Sequence, residues 1–152
     1  IDHPNTVIAG ATVQEEVGLR GAKTAAFGLD PDLGIALDVT ATGDTPEAPK
    51  LAMKLGQGAA IKVKDVSLIT HPQVKELLTT LAEQNGIPHQ FEVLPFGGTD
   101  AGAIHLTKAG IPAGVISVPC RYLHSPSEMV DLNDVEAAVR LVVATMEHPI
   151  TL

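Results

Sequence analysis

Short apolar segments alternate with amphipathic or Ala-rich stretches along the whole chain. The apolar segments predict five strands, at 6–13, 33–40, 59–64, 91–94 and 113–118. The stretches between them, bounded by capping residues, Pro or Gly, predict helices at 16–27, 71–84, 100–109 and 132–147. Near-continuous apolar strands that alternate with helices are typical of a sheet covered on both faces. The sequence therefore predicts an α/β fold, a three-layer α/β/α sandwich with a mostly parallel sheet.

The composition is that of one folded domain. The 152 residues are 45% hydrophobic and 18% charged, with a net charge of −8. Such a chain lacks the cationic surface that sequence-independent binding to nucleic acid or to anionic lipid requires. No apolar stretch approaches the roughly 20 residues of a membrane-spanning helix, and the single cysteine, Cys120, cannot form an internal disulfide. We therefore predict a cytoplasmic protein that binds neither nucleic acid nor membranes.

Two adjacent carboxylates, Glu15 and Glu16, directly follow the first predicted strand. In an open α/β sheet, ligands bind beyond the carboxyl ends of the strands. Adjacent side chains point in different directions, so one could bind a metal while the other acts as a base. The alternative is an acidic first helical turn, which the helix dipole favours. The two residues alone favour that alternative.

An aspartate and a histidine stand near the ends of two other predicted strands. Asp38 lies in an otherwise apolar strand, so a cation or several hydrogen-bond donors are expected beside its carboxylate. His124 lies in the loop after the fifth predicted strand. A structural Asp38 and a solvated surface His124 are the alternatives. Together with a glutamate, these are ligands that suit Zn²⁺, Co²⁺ or Mn²⁺.

A glycine-rich turn, FGGTDAG at 96–102, leads into the third predicted helix. Its backbone N–H groups could hold a carboxylate or an oxyanion. The alternative is a tight turn that needs glycine only for its backbone conformation. The five histidines other than His124 are assigned no role.

Three stretches together resemble the glutamyl and tetrahedral aminopeptidase family of co-catalytic metallopeptidases. They are ATVQEEVGLRGA at 11–22, ALDVT at 36–40 and GGTDAGAIHLTKAGIPAGVISVPCRYLHSP at 97–126. The order and spacing of these motifs match the family, and the resemblance extends over essentially the whole chain. It implies a zinc-peptidase-like fold.

The resemblance also implies chemical roles. Glu15 would handle the proton of the attacking water, Glu16 and His124 would bind one metal ion, and Asp38 would bind another. The implied cofactors are two divalent ions, Zn²⁺, Co²⁺ or Mn²⁺, and the implied reaction removes N-terminal residues from peptides. Candidates for contact with the peptide lie near the motifs; they are Gly98, Thr99, Asp100 and Arg121.

Other parts of the family pattern have no counterpart in the chain. These are an upstream histidine ligand, an aspartate that bridges both ions, and a small lid domain; the context of His3 does not match. We therefore expect residues 1–152 to be the carboxyl-terminal part of a catalytic domain. We expect the isolated chain to bind metal weakly and to hydrolyse nothing. The resemblance further implies homo-oligomers, often dodecameric tetrahedral shells.

Two other functions remain open. The endoglucanase label carried by some family members and the paired carboxylates suggest a glycoside hydrolase. That chemistry needs carboxyl groups facing each other across a sugar, roughly 5–9.5 Å apart, which adjacent Glu15 and Glu16 cannot provide. The chain also has no Trp and one Tyr to form a sugar platform. The second alternative is a non-catalytic assembly module that keeps the fold and has lost the chemistry.

Overall fold

The computed structural model describes residues 1–152 as four helices and a five-stranded sheet. In chain order the elements are α1 (Arg20–Leu29), β1 (Gly34–Ala41), β2 (Ala59–Lys64), α2 (Pro72–Gln84), β3 (His89–Val93), α3 (Ala101–Ile104), β4 (Ala113–Arg121), β5 (Met129–Val130) and α4 (Leu132–Glu147). Helices α2 and α4 pack on one face of the sheet, and α3, with α1 beside it, packs on the other. This arrangement confirms the predicted α/β/α sandwich. None of these helices combines the length and the apolar character needed to cross a membrane.

The sheet is mixed, with the strand order β1-β4-β2-β3 and with β5 on β4. Most paired residues lie in two parallel ladders, β1 with β4 and β2 with β3. Strand β4 meets β2 and β5 in short antiparallel ladders. The carboxyl ends of β1 and β4 therefore meet at one edge of the sheet, while β2 and β3 run in the opposite direction.

Apolar side chains fill both sides of the sheet. Ile61 and Ile116 pack against α2 and α4 on one face. Ala36 and Val115 belong to a smaller cluster with α3 on the other face. Because side chains alternate along a strand, Asp38 points to the same side as Ala36. The carboxylate of Asp38 is thereby directed to the face that carries α1 and α3.

The predicted first strand, at 6–13, is wrong. Its residues are exposed and form no ladder with any strand. Hydrogen bonds of the Asn5 side chain to the backbone at 148 and 150 hold the segment near the C-terminus. β-branched residues favour extended backbone, but a strand also requires a hydrogen-bonded neighbour, and none lies beside this segment.

Two helices are shorter than predicted. Helix α1 begins at Arg20 and has no acidic residue in its first turn, so Glu16 lies in the preceding turn and the acidic-turn alternative is wrong. Helix α3 ends at Ile104, where three-residue turns replace the helical bonds, and the later left-handed φ of 51° at Lys108 excludes a helix up to 109. The sequence does not predict β5, since two residues show no alternation.

Gly58 occupies a position with no room for a side chain. Its φ is +92°, and an added Cβ would collide with the carbonyl group of Pro88. Its N–H donates to Oδ1 of Asp134 at 2.7 Å, which restricts any backbone shift. We expect Gly58→Ala to lower the free energy of unfolding by about 1–3 kcal/mol, measured by urea denaturation.

Gly28→Ala is the matched control for this prediction. Gly28 lies in α1, where nothing stands within 4 Å of an added Cβ. Alanine favours a helix over glycine by about 0.5–1 kcal/mol, so this variant should be slightly more stable than the wild type. Equal stabilities of the two variants would contradict the steric argument.

Candidate active site

A cleft of about 860 Å³ opens over the face of the sheet that carries α1 and α3. Its walls come from the turn before α1, the end of β1, the segments after β2 and β3, and the loop after β4. The four residues predicted as proton carrier and metal ligands all line this cleft: Glu15, Glu16, Asp38 and His124. The fold therefore brings side chains that are distant in the chain to one cavity.

Glu16 and His124 form the one ion pair among these four residues. Nε2 of His124 lies 3.3 Å from Oε1 of Glu16, and the two side chains are 68% and 72% exposed. Two ligand atoms in a tetrahedral zinc site, each about 2.0–2.2 Å from the ion, are about 3.3–3.5 Å apart. The pair therefore has the separation of two ligands of one ion. No group of three or more His, Cys, Asp or Glu side chains is arranged to hold one metal ion.

Asp38 lies within β1, three residues before its end, as the sequence predicted. Its Oδ1 accepts a hydrogen bond from the Val39 N–H at 2.7 Å. The pKa of Asp38 is raised, because the effect of burial exceeds the lowering by the Val39 N–H and by the charge of Lys62. The donor and the cation expected beside this carboxylate are thus present. Only His124 has the predicted place after the carboxyl end of a strand.

Glu15 is half-buried and lies in the field of the other acidic groups. Burial raises the pKa of Glu15, and the charges of Asp38, Glu16 and Asp100 raise it further, while His124 lowers it. A carboxylate with a raised pKa is a stronger base than an ordinary one. Such a group is suited to accept a proton from a water molecule.

Left-handed backbone conformations cluster around these side chains at residues other than glycine. φ is 60° at Gln14, 57° at Tyr122 and 61° at His124. Each such conformation costs on the order of 1 kcal/mol and persists where surrounding contacts hold it. At His124 the backbone N–H donates to Oε1 of Glu128 at 2.6 Å. The sequence gives no signal for this contact of Glu128.

Comparison with known proteins decides the family. The model of the M42 glutamyl aminopeptidase family matches residues 1–141. The chain belongs to the M42 family. It is similar to a putative aminopeptidase of Acetivibrio thermocellus, with 59% identity over 132 residues, which are 87% of this chain and 40% of that relative.

Two solved structures share the fold of this M42 chain. A TET aminopeptidase from the marine sediment archaeon Thaumarchaeota archaeon SCGC AB-539-E09 has a TM-score of 0.93 and 44% identity, covering 97% of this chain and 41% of its own. The Pyrococcus horikoshii TET1 peptidase, which can assemble into a tetrahedron or a large octahedral shell, has a TM-score of 0.76 and 39% identity, covering 89% of this chain and 39% of its own. The M42 chain thus spans about 40% of the length of the proteins that it matches.

The glycine-rich turn forms one wall of the M42 cleft. Gly98 and Thr99 line the cavity, whereas Asp100 does not line it and accepts a hydrogen bond from the N-terminal segment. An added Cβ at Gly98 would lie 2.7 Å from Oγ of Ser67, so close packing accounts for this glycine. The buried Oγ1 of Thr99 has no hydrogen-bond partner. The peptide contacts proposed for this turn remain predictions.

Arg121 forms a two-pronged ion pair with Asp44. Its Nε donates to Oδ1 at 3.0 Å and its Nη2 to Oδ2 at 2.8 Å. The hydrogen bonds from Arg121 hold the pKa of Asp44 well below its ordinary range. The guanidinium is not among the groups that line the cleft. Contact of Arg121 with a peptide substrate remains a prediction. The partner that the structure shows for its guanidinium is the Asp44 carboxylate.

A buried ionic cluster that was not predicted from the sequence lies below the cleft. Nζ of Lys62 lies 2.6 Å from Oε1 of Glu92 and 3.4 Å from Oδ2 of Asp65, and all three side chains are essentially inaccessible. Thr40 donates a further hydrogen bond to the same Glu92 oxygen, at 2.6 Å. The segment AAIKVK does indicate such a cluster, because a lysine buried in an apolar strand requires a buried partner of opposite charge.

Proposed function

We propose that this chain carries part of the catalytic site of a metal-dependent aminopeptidase, an enzyme that removes N-terminal residues from peptides with a metal-activated water. Membership of the M42 family supports the aminopeptidase reaction. The observation that carries the assignment of roles is the convergence of Glu15, Glu16, Asp38 and His124 on one cleft.

The donor groups in the cleft fit a divalent metal ion. Glu16 and His124 offer an oxygen and a nitrogen at the separation of two ligands of one ion. Asp38 offers a half-buried carboxylate to a second ion. Bound Zn²⁺, Co²⁺ or Mn²⁺ would polarise the scissile carbonyl and lower the pKa of a water ligand. Three ligands do not complete a site for two ions, so we expect the 152-residue chain alone to bind metal weakly and to be inactive.

Glu15 has the role of proton carrier in the proposed reaction. Its neighbour Glu16 is beside His124, whereas Glu15 takes no part in that pair. Glu15 takes the proton of the attacking water and returns it to the leaving amine. Burial and the surrounding carboxylates raise the pKa of Glu15, which favours the first of these transfers.

Neither alternative function has comparable support. A glycoside hydrolase would need opposed carboxyl groups, and the two adjacent glutamates differ in burial and in partner. A non-catalytic module would have no need to keep a base and three potential ligands in one cleft.

For the assembly we propose a homo-oligomer, with a tetrahedral dodecamer as one form, because the similar Pyrococcus horikoshii TET1 peptidase can assemble into a tetrahedron.

A chimera tests the proposed function. The part of the Acetivibrio thermocellus relative that aligns with this chain is replaced by this chain, after the turnover of the relative itself has been measured. We expect the chimera, loaded with Zn²⁺ or Co²⁺, to hydrolyse amino-acid p-nitroanilides and to leave carboxymethylcellulose intact. Chelation should abolish the turnover, and added metal should restore it.

The isolated 152-residue chain is the parallel sample in this assay. With the same metal ions we expect no turnover from it. A folded but inactive chimera beside an active relative, or activity on cellulose alone, would refute the proposed function.

A further inference from the structure

One ion pair joins the loop that carries His124 to the loop after β1. Arg121 is the last residue of β4, and Asp44 lies three residues after β1. Asp44 is itself held in its loop, because its Oδ2 also accepts the Leu55 N–H at 3.0 Å. The side chains of Arg121 and Asp44 are 31% and 14% exposed, so the pair is partly shielded from water.

The loop from 122 to 128 has few other polar contacts with the rest of the protein. Its hydrogen bonds are internal, from the Ser125 N–H to the Tyr122 carbonyl at 3.1 Å and from the His124 N–H to Glu128 at 2.6 Å. Such bonds fix the shape of the loop and hold its left-handed residues, but they do not fix its direction. The β4–β5 ladder pairs Arg121 with Met129 and closes the loop at its base. The Arg121 side chain adds the polar contact that ties this base to the loop after β1.

We propose that the Arg121–Asp44 ion pair is a positioning device that directs the His124 loop toward the turn with Glu16. Among the hydrogen bonds and ion pairs of the chain, the His124 side chain has Glu16 as its one partner, at 3.3 Å. A small rotation at Arg121 would separate these two side chains. Asp44 and Asp38 are carried by β1 and its loop, so the ion pair also fixes the His124 loop relative to Asp38.

Arginine suits this task better than lysine. Two parallel N–H···O bonds between a guanidinium and a carboxylate allow one relative orientation, whereas an ammonium group holds its partner without fixing a direction. Arg121→Lys therefore keeps the charge and loses the orientation. Asp44→Asn keeps the size and an acceptor for the Leu55 N–H and loses the charge.

Amide hydrogen exchange of the chain tests the positioning. We expect Asp44→Asn and Arg121→Lys to raise the exchange rates at 122–128 about tenfold and to leave those of α2 and α4 nearly unchanged. Lys108→Met is the matched control, because it removes an exposed ion pair with Asp30 at 2.7 Å that involves neither this loop nor the loop after β1. Unchanged exchange at 122–128, or an equal acceleration in α2 and α4, would overturn the proposal.

The consequence for metal binding rests on the proposed function and has its own measurement. Zn²⁺ titration of the chimera should show about tenfold weaker binding for Arg121→Lys and Asp44→Asn, with Lys108→Met unchanged. His124→Ala separates the two hypotheses. If His124→Ala binds Zn²⁺ like the wild type, the ligand assignment fails while the exchange result stands; if only the ion-pair variants bind normally, the positioning role fails.

Discussion

Lys62→Met is expected to lower the free energy of unfolding by about 3–5 kcal/mol. Lys62 is the cation of a cluster in which Glu92 lies at 2.6 Å and Asp65 at 3.4 Å, all essentially inaccessible to water. The buried oxygens Oε2 of Glu92 and Oδ2 of Asp65 have no hydrogen-bond partner. Removal of the ammonium group would leave two buried carboxylates without their neighbouring positive charge, held only by hydrogen bonds from Thr40 to Glu92 and from residues 67 and 68 to Asp65. Methionine has a similar unbranched shape, so the cost arises from charge and not from a cavity.

Urea denaturation followed by circular dichroism measures this loss. Lys64→Met is the control, because Lys64 lies two residues further along β2 and is exposed, and its effect should stay within about 0.5 kcal/mol. Lys62→Met combined with Glu92→Gln should recover part of the lost stability, since one buried charge fewer remains unpaired. Equal stabilities of the two lysine variants would mean that the cluster does not stabilise the fold.

Local sequence predicts most of the fold and misses what depends on distant partners. The strands from β1 to β4 follow from apolar runs, which need a covered sheet to be buried. The failed strand at 6–13 has the same local character, yet Val7 and Ile8 are 41% and 53% exposed. Its residues have the propensity for a strand and lack the neighbour that a ladder requires.

The same distinction applies to the site. Motif resemblance led to the roles of Glu15 and Glu16, whereas the two residues taken alone favoured an acidic first helical turn that does not form. The pairs Lys62–Glu92 and Arg121–Asp44 join residues 30 and 77 positions apart. No local pattern specifies such partners. A lysine in a buried strand indicates that a carboxylate must lie nearby, but the sequence does not identify that carboxylate.

Glu15→Gln and Glu16→Gln are expected to impair the chimera in different ways, although the residues are adjacent. Glutamine cannot accept a proton, so Glu15→Gln should lower kcat about 10²–10⁴-fold and leave the Zn²⁺ content unchanged. Glu16 lies beside His124 at 3.3 Å, so Glu16→Gln should weaken Zn²⁺ binding. Excess Zn²⁺ should then restore part of the turnover of Glu16→Gln and none of that of Glu15→Gln.

Metal analysis of the purified variants and p-nitroanilide kinetics over a range of Zn²⁺ concentrations separate these effects. Glu83→Gln, at an exposed position in α2, is the control and should match the wild type in both measurements. The two glutamates of the cleft differ in burial, and burial and the neighbouring carboxylates raise the pKa of Glu15. If Glu15→Gln loses metal as Glu16→Gln does, the two residues act as one ligand group, and the proton must be carried by another residue of the cleft.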